Sequence, residues 1–140
     1  MKVLVIDGQG GRLGKMVIDE IRSLLPEAKI RAIGTNARAT VTMMKANPDS
    51  AATGENPVIV ACREADFIVG PIGIVIADSL LGEVTPAMAV AVAQSTATRV
   101  LIPMNKCDNL VAGLNAQPIS ELAIDAVRKI VTSCESEEES

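Results

Sequence analysis

Residues 3–14 read VLVIDGQGGRLG: four apolar residues, Val3 to Ile6, then glycines at 8, 10, 11 and 14. A short, continuous apolar run suits a strand covered on both faces, as in a parallel sheet. MVIDEIRSLL follows, with Leu13, Val17, Ile21, Leu24 and Leu25 spaced to share one helical face. Strand, glycine turn and helix together form the phosphate-cradling unit of nucleotide-binding α/β folds. Backbone N–H groups and the helix dipole there favour an anion, and glycine lets the ligand approach the backbone. The G-x-G-x-x-G spacing fails, because after Gly8 and Gly10 the third position is Leu13. G-x-x-G-x-x-G fits with Gly8, Gly11 and Gly14. The loop Gly8, Gln9, Gly10, Gly11, Arg12, Leu13 and Gly14 is therefore the expected phosphate site. On this reading Gly11→Val puts a branched side chain into the phosphate space.

The remaining strands follow from the same pattern. Ile30 to Ile33 reads as a second strand, ending in Gly34-Thr35-Asn36. In a dinucleotide fold this end meets the adenosine ribose, where an acid would hold both hydroxyls of NAD. Thr35 and Asn36 stand there instead, with Arg38 and Arg12 close by in sequence. Two guanidinium groups and no acid favour a 2′-phosphate, hence NADP over NAD. Residues 37–46 read as a helix, 51–53 as at most a short strand and 57–64 as a short helix. Residues 66–70 form the next strand, running into Gly70-Pro71-Ile72-Gly73, a second glycine turn expected to face the first across one crevice. Thr85 caps a helix, PAMAVAVAQS, with almost no polar face. Such a helix is buried all round, most simply against a second subunit. Residues 99–103 carry Asn105, Lys106 and Cys107 to the ligand edge. Asn105 and Lys106 are expected to contact the ligand or cap the crevice, and Cys107 to pack. Residues 110–114 suggest one more strand. The last helix starts after Pro118 and ends before an acidic tail, CESEEES, expected to be mobile.

These elements make a single domain, 1–133, with 134–140 as the tail. The fold class is α/β, a three-layer Rossmann-like sandwich with a mostly parallel sheet and strand 2–7 in its centre. With 49% apolar residues in 140, the chain can build a substantial core, and the excess suggests a homodimer or higher homo-oligomer. A net charge of −4 and a single aromatic residue, Phe67, leave neither a basic footprint nor a stacking platform for nucleic acid. No apolar run has the length of a membrane span, and no leader precedes strand one, so the protein reads as cytoplasmic. Three scattered cysteines make neither a disulfide framework nor a zinc motif. The lack of histidine excludes Ser-His-Asp and Cys-His catalysis and disfavours a transition-metal site.

The segments VIDGQGGRLG, IGTNARAT, TGEN, GPIGI, ADSLLGEVTPAMAVAVAQS and LIPMNKC together resemble a family of small uncharacterised bacterial proteins with a Rossmann-like fold. The resemblance covers nearly the whole chain and implies the fold, but no activity. The family loop is richer in glycine, and Arg12 departs from it. A looser likeness to short-chain dehydrogenases covers only the first 36 residues. Their Tyr-x-x-x-Lys pair has no counterpart, because the chain has no tyrosine. The preferred function is therefore a non-catalytic or regulatory module binding a small phosphorylated ligand, a nucleotide such as NADP or NAD. The alternatives are an NAD(P)-dependent oxidoreductase, or another small-molecule enzyme with Asp78, Glu83, Asn105 and Lys106 as its polar set.

Overall fold

The computed structural model describes residues 1–104 and 109–139. Five strands, β1 (Lys2–Asp7), β2 (Lys29–Gly34), β3 (Ser50–Thr53), β4 (Phe67–Pro71) and β5 (Thr98–Ile102), form one sheet in the order β3-β2-β1-β4-β5. Every neighbouring pair is parallel. The helices are α1 (Arg12–Leu24), α2 (Ala37–Met44), α3 (Glu55–Cys62), α4 (Pro86–Gln94) and α5 (Ile119–Glu139), with one 3-10 turn at Ile72–Val75. The molecule is thus an α/β Rossmann-like sandwich with β1 in the middle.

The apolar run of β1 is explained by its position. Alternate side chains point to opposite faces of a strand. Val3 and Val5 pack with α1, α5 and Met43 of α2, while Leu4 and Ile6 pack with α3 and α4. All four are essentially inaccessible to water. On α1, Ile18 joins Leu13, Val17 and Ile21 in the buried face, whereas Leu24 is exposed. Among the described residues, no helix is long and apolar enough to cross a membrane.

The differences from the sequence reading have local causes. α3 begins at Glu55, so Pro57 is its third residue, still within the first turn where a proline N–H is not missed. Residues 110–114 form no strand; Leu110 is fully exposed and leaves nothing for a sheet to cover. The acidic segment expected as a tail continues α5 to Glu139. Glutamate is a good helix former, and half-buried Cys134 packs against the core, which anchors one side of this extension.

Three glycines hold the sheet and the first two helices close together. A Cβ on Gly11 would lie 2.5 Å from the Ala39 carbonyl oxygen of α2, and Gly11 has φ +73, where L side chains are strained. A Cβ on Gly14 would lie 2.4 Å from Sδ of Met43, and one on Gly8 2.5 Å from Oγ1 of Thr35. Gly10 differs, since a Cβ there meets nothing within 4 Å. Gly11→Val would therefore wedge α1 from α2 rather than enter ligand space. We expect Gly11→Ala to destabilise by about 2 kcal/mol or more. Gly10→Ala should stay within about 1 kcal/mol of the parent. Urea unfolding followed by far-ultraviolet circular dichroism measures both; equal stabilities would remove the close-packing account.

Candidate functional site

The strand order reverses between β1 and β4, and in open α/β sheets this switch point is where ligands sit, at the carboxyl ends of the strands. Gly11 opens α1 in a left-handed conformation, with no side-chain cap and no acid in the first turn. The first turn is capped instead from β1, where the Asp7 carboxylate accepts from Gly14 N–H.

The loop's own N–H groups are partly committed. Gly8 N–H donates to Oδ1 of Asp7 at 2.8 Å, and Gly14 N–H to Oδ2 of the same carboxylate at 2.7 Å. Gly11 N–H donates to the Gly8 carbonyl at 3.0 Å, closing the turn. Asp7 is buried at the end of β1, and this burial pushes its carboxyl up to about 6. The bonds from Gly14 and Gly8 pull the other way, while the charge of Glu83 adds to the rise.

Gln9 N–H, the next donor along, meets Oε1 of Glu83 at 3.1 Å. The same oxygen accepts from Oγ1 of Thr35 at 2.8 Å and from Nδ2 of Asn36. Asn36 is itself held, because its Oδ1 caps α2 at Ala39 N–H and its Nδ2 also donates to the Gln9 carbonyl. Burial works to raise the Glu83 pKa, but the bonds from Asn36, Thr35 and Gln9 outweigh it and hold it below the usual glutamate range. Glu83 is thus an ionised carboxylate resting on the glycine loop.

The sequence-predicted residues sort out as follows. Gly8, Gln9, Thr35 and Asn36 do come together, around Glu83. Gly10 borders open space. Leu13 and Gly14 are buried in the packing of α1. Arg12 and Arg38 are exposed, on the first turns of α1 and α2, with no ion pair among the described residues. Gly70 and Pro71 belong to β4 itself, where a Cβ on Gly70 would lie 2.4 Å from the Ile6 carbonyl oxygen. Ile72 and Gly73 open the 3-10 turn that drives Ile74 into the core. The chain that reaches over Gly8 comes from farther on, through Leu80 and Glu83. The expectations for Asn105, Lys106 and Cys107 lie outside the described residues.

One premise of the sequence reading is overturned. An acid does stand at the end of β2, delivered by residue 83 rather than by β2 itself. Sequence distance hid its meeting with Thr35 and Asn36; the local signal was the pair of acids, Asp78 and Glu83, in an otherwise largely apolar segment.

With this geometry, the chain belongs to the family described as "Domain of unknown function (DUF3842)", which matches residues 2–135. No curated protein matches it. Its structure is similar to that of the dodecameric FMN-dependent Ubix-like decarboxylase from Escherichia coli O157:H7. The two share 18% sequence identity at a TM-score of 0.46, over 92% of this chain and 75% of that one.

Asp7 generates a pH test. Its folded pKa of about 6 lies above the ordinary 3.8. The stability it brings is therefore complete below about pH 4 and is lost as pH rises through about 6. The stability advantage of the parent over Asp7→Asn should fall by about 3 kcal/mol between pH 4 and 7. Urea titrations across that range read it, and a flat difference would contradict a buried acid.

Proposed function

We propose that this chain is a binding module for a phosphorylated nucleotide, with a phosphoryl oxygen taking the place on the glycine loop now filled by the Glu83 carboxylate. One observation carries the reading: a backbone N–H, a hydroxyl and a side-chain amide converge on a single oxyanion oxygen at the carboxyl ends of β1 and β2, beside the switch point of a parallel sheet. Convergent donors of this kind recognise phosphoryl oxygens as readily as carboxylates. Arg12 and Arg38 supply cations on the first turns of α1 and α2. The groups gathered here orient and neutralise an anion, which is binding chemistry. Within the nucleotide class we propose NADP or NAD. The two arginines suit a phosphate beyond the one on the glycine loop.

Calorimetric titration of the full chain with NADP, NAD, FMN and ADP tests this. At least one should bind with a Kd in the micromolar range. Gly10→Val, which fills the open side of the loop without touching α2, should weaken it tenfold or more. If NADP binds more tightly than NAD, Arg38→Ala should narrow the gap. A panel that fails to bind at millimolar concentration, or a Gly10→Val variant with parental affinity, overturns the reading.

We also propose that two copies associate through the outer face of α4. The helix turns Met88, Ala89 and Val92 inward but leaves Val90 50% exposed, so the fold does not bury it all round. Val90→Lys should convert dimers to monomers in light scattering; a parent that is monomeric at micromolar concentration removes this interface.

A further inference from the structure

Residues 78–84 form an arm whose backbone bonds are largely its own. Asp78 N–H donates to the Val84 carbonyl at 2.7 Å, Val84 N–H to Ser79 at 3.2 Å, Gly82 N–H to Asp78 at 3.1 Å and Glu83 N–H to Leu80 at 3.1 Å. The base is pinned on both sides: the Ser79 hydroxyl donates to the Gly73 carbonyl, and Val84 is fully buried. Along the arm the backbone is unusual. Asp78, Leu80 and Leu81 have φ of 66, 55 and 56, a left-handed region that costs a non-glycine residue of this kind free energy. Leu81 at the tip is 95% exposed. The arm reaches the glycine loop through Leu80, which lies over Gly8, and through the three bonds to Glu83.

We infer that this arm is a gate and Glu83 its internal anion: the carboxylate occupies the phosphoryl position of the glycine loop, and a ligand binds by displacing it. The inference rests on the nucleotide-binding reading above and adds the regulation of that site. The exchange is close to balanced in kind. Gln9, Thr35 and Asn36 give up one anionic oxygen and receive another, so no donor is stranded. The departing carboxylate enters water, and the left-handed residues of the arm are free to relax. Leu80 leaves with it and uncovers Gly8. The gate keeps weak monovalent anions off the loop, since they offer no more charge than Glu83 and must still open the arm. A pyrophosphate or nucleotide brings more charge and more oxygens to the same donors and to Arg12. A competing internal ligand reduces apparent affinity by the fraction of molecules in the closed state.

The test compares parent, Glu83→Ala and Glu83→Gln by calorimetry with two probes, inorganic pyrophosphate and ADP, after circular dichroism confirms that each variant melts like the parent. Glu83→Gln keeps the volume and removes the charge, which guards against a folding defect in Glu83→Ala. Pyrophosphate should bind the variants at least tenfold more tightly than the parent, and the gain should appear in both. Equal or weaker pyrophosphate binding in the variants overturns the gate. ADP separates the two readings. If pyrophosphate gains affinity while ADP binds none of the three proteins, the gate stands and the nucleotide reading falls. If ADP binds all three equally, the nucleotide reading stands and the gate falls. If neither probe binds any of them, both fall.

Discussion

The structure depends on how closely the exit of β1 approaches α2. At Gly11 the backbone of the loop lies against the backbone of Ala39, and at Gly14 the first turn of α1 lies against Met43 and Asp7. No side chain fits into either contact. α1 and α2 start at the same edge of the sheet because β1 and β2 run parallel, and the glycines let the two helices touch there. The donors of the site are brought together by packing that would be needed whether or not a ligand ever bound. The glycines of such a loop thus serve two ends. At 8, 11 and 14 they answer to neighbours within the chain, and only Gly10 borders empty space.

Charge at the crevice follows from this geometry. Two carboxylates flank one loop. Asp7 accepts two of its N–H groups from below and is buried enough to hold its proton up to about pH 6. Glu83 accepts a third from above and stays ionised, because three donors outweigh its partial burial. The charge of Glu83 adds to the rise that burial gives Asp7, so below about pH 6 the pair is one acid and one anion. A half-buried loop that presents backbone N–H groups is a place where negative charge is stabilised. The chain supplies that charge itself.

Much of the architecture was legible in the residues alone. Val3 to Ile6 could only be a strand covered on both faces, since an apolar side chain on either face of an open sheet would meet water. The glycines placed a tight turn after it. Thr85 placed a helix start, because a side-chain oxygen is needed to satisfy the N–H groups there. Thr35 and Asn36 lie near Gly8 and Gln9 because successive strands of a parallel sheet end at the same edge. Periodicity is a local property, and these were inferences from local periodicity.

Tertiary structure alone decided what fills the site and which glycine serves which purpose. Glu83 lies 48 residues beyond Thr35, and no spacing rule connects them. Their meeting depends on the left-handed path through Asp78, Leu80 and Leu81, at residue types that do not advertise it. Gly70 read as a turn because glycine usually marks one. It lies inside β4, which runs on through Pro71, and the Ile6 carbonyl of β1 leaves no room there for a Cβ. Residues 134–139 looked like a free acidic end, and they are helix because the preceding turns are anchored against the core. Sequence determines which segments must be buried and where the chain can bend. Which distant side chain arrives at a given donor is settled only when close packing has removed every other arrangement.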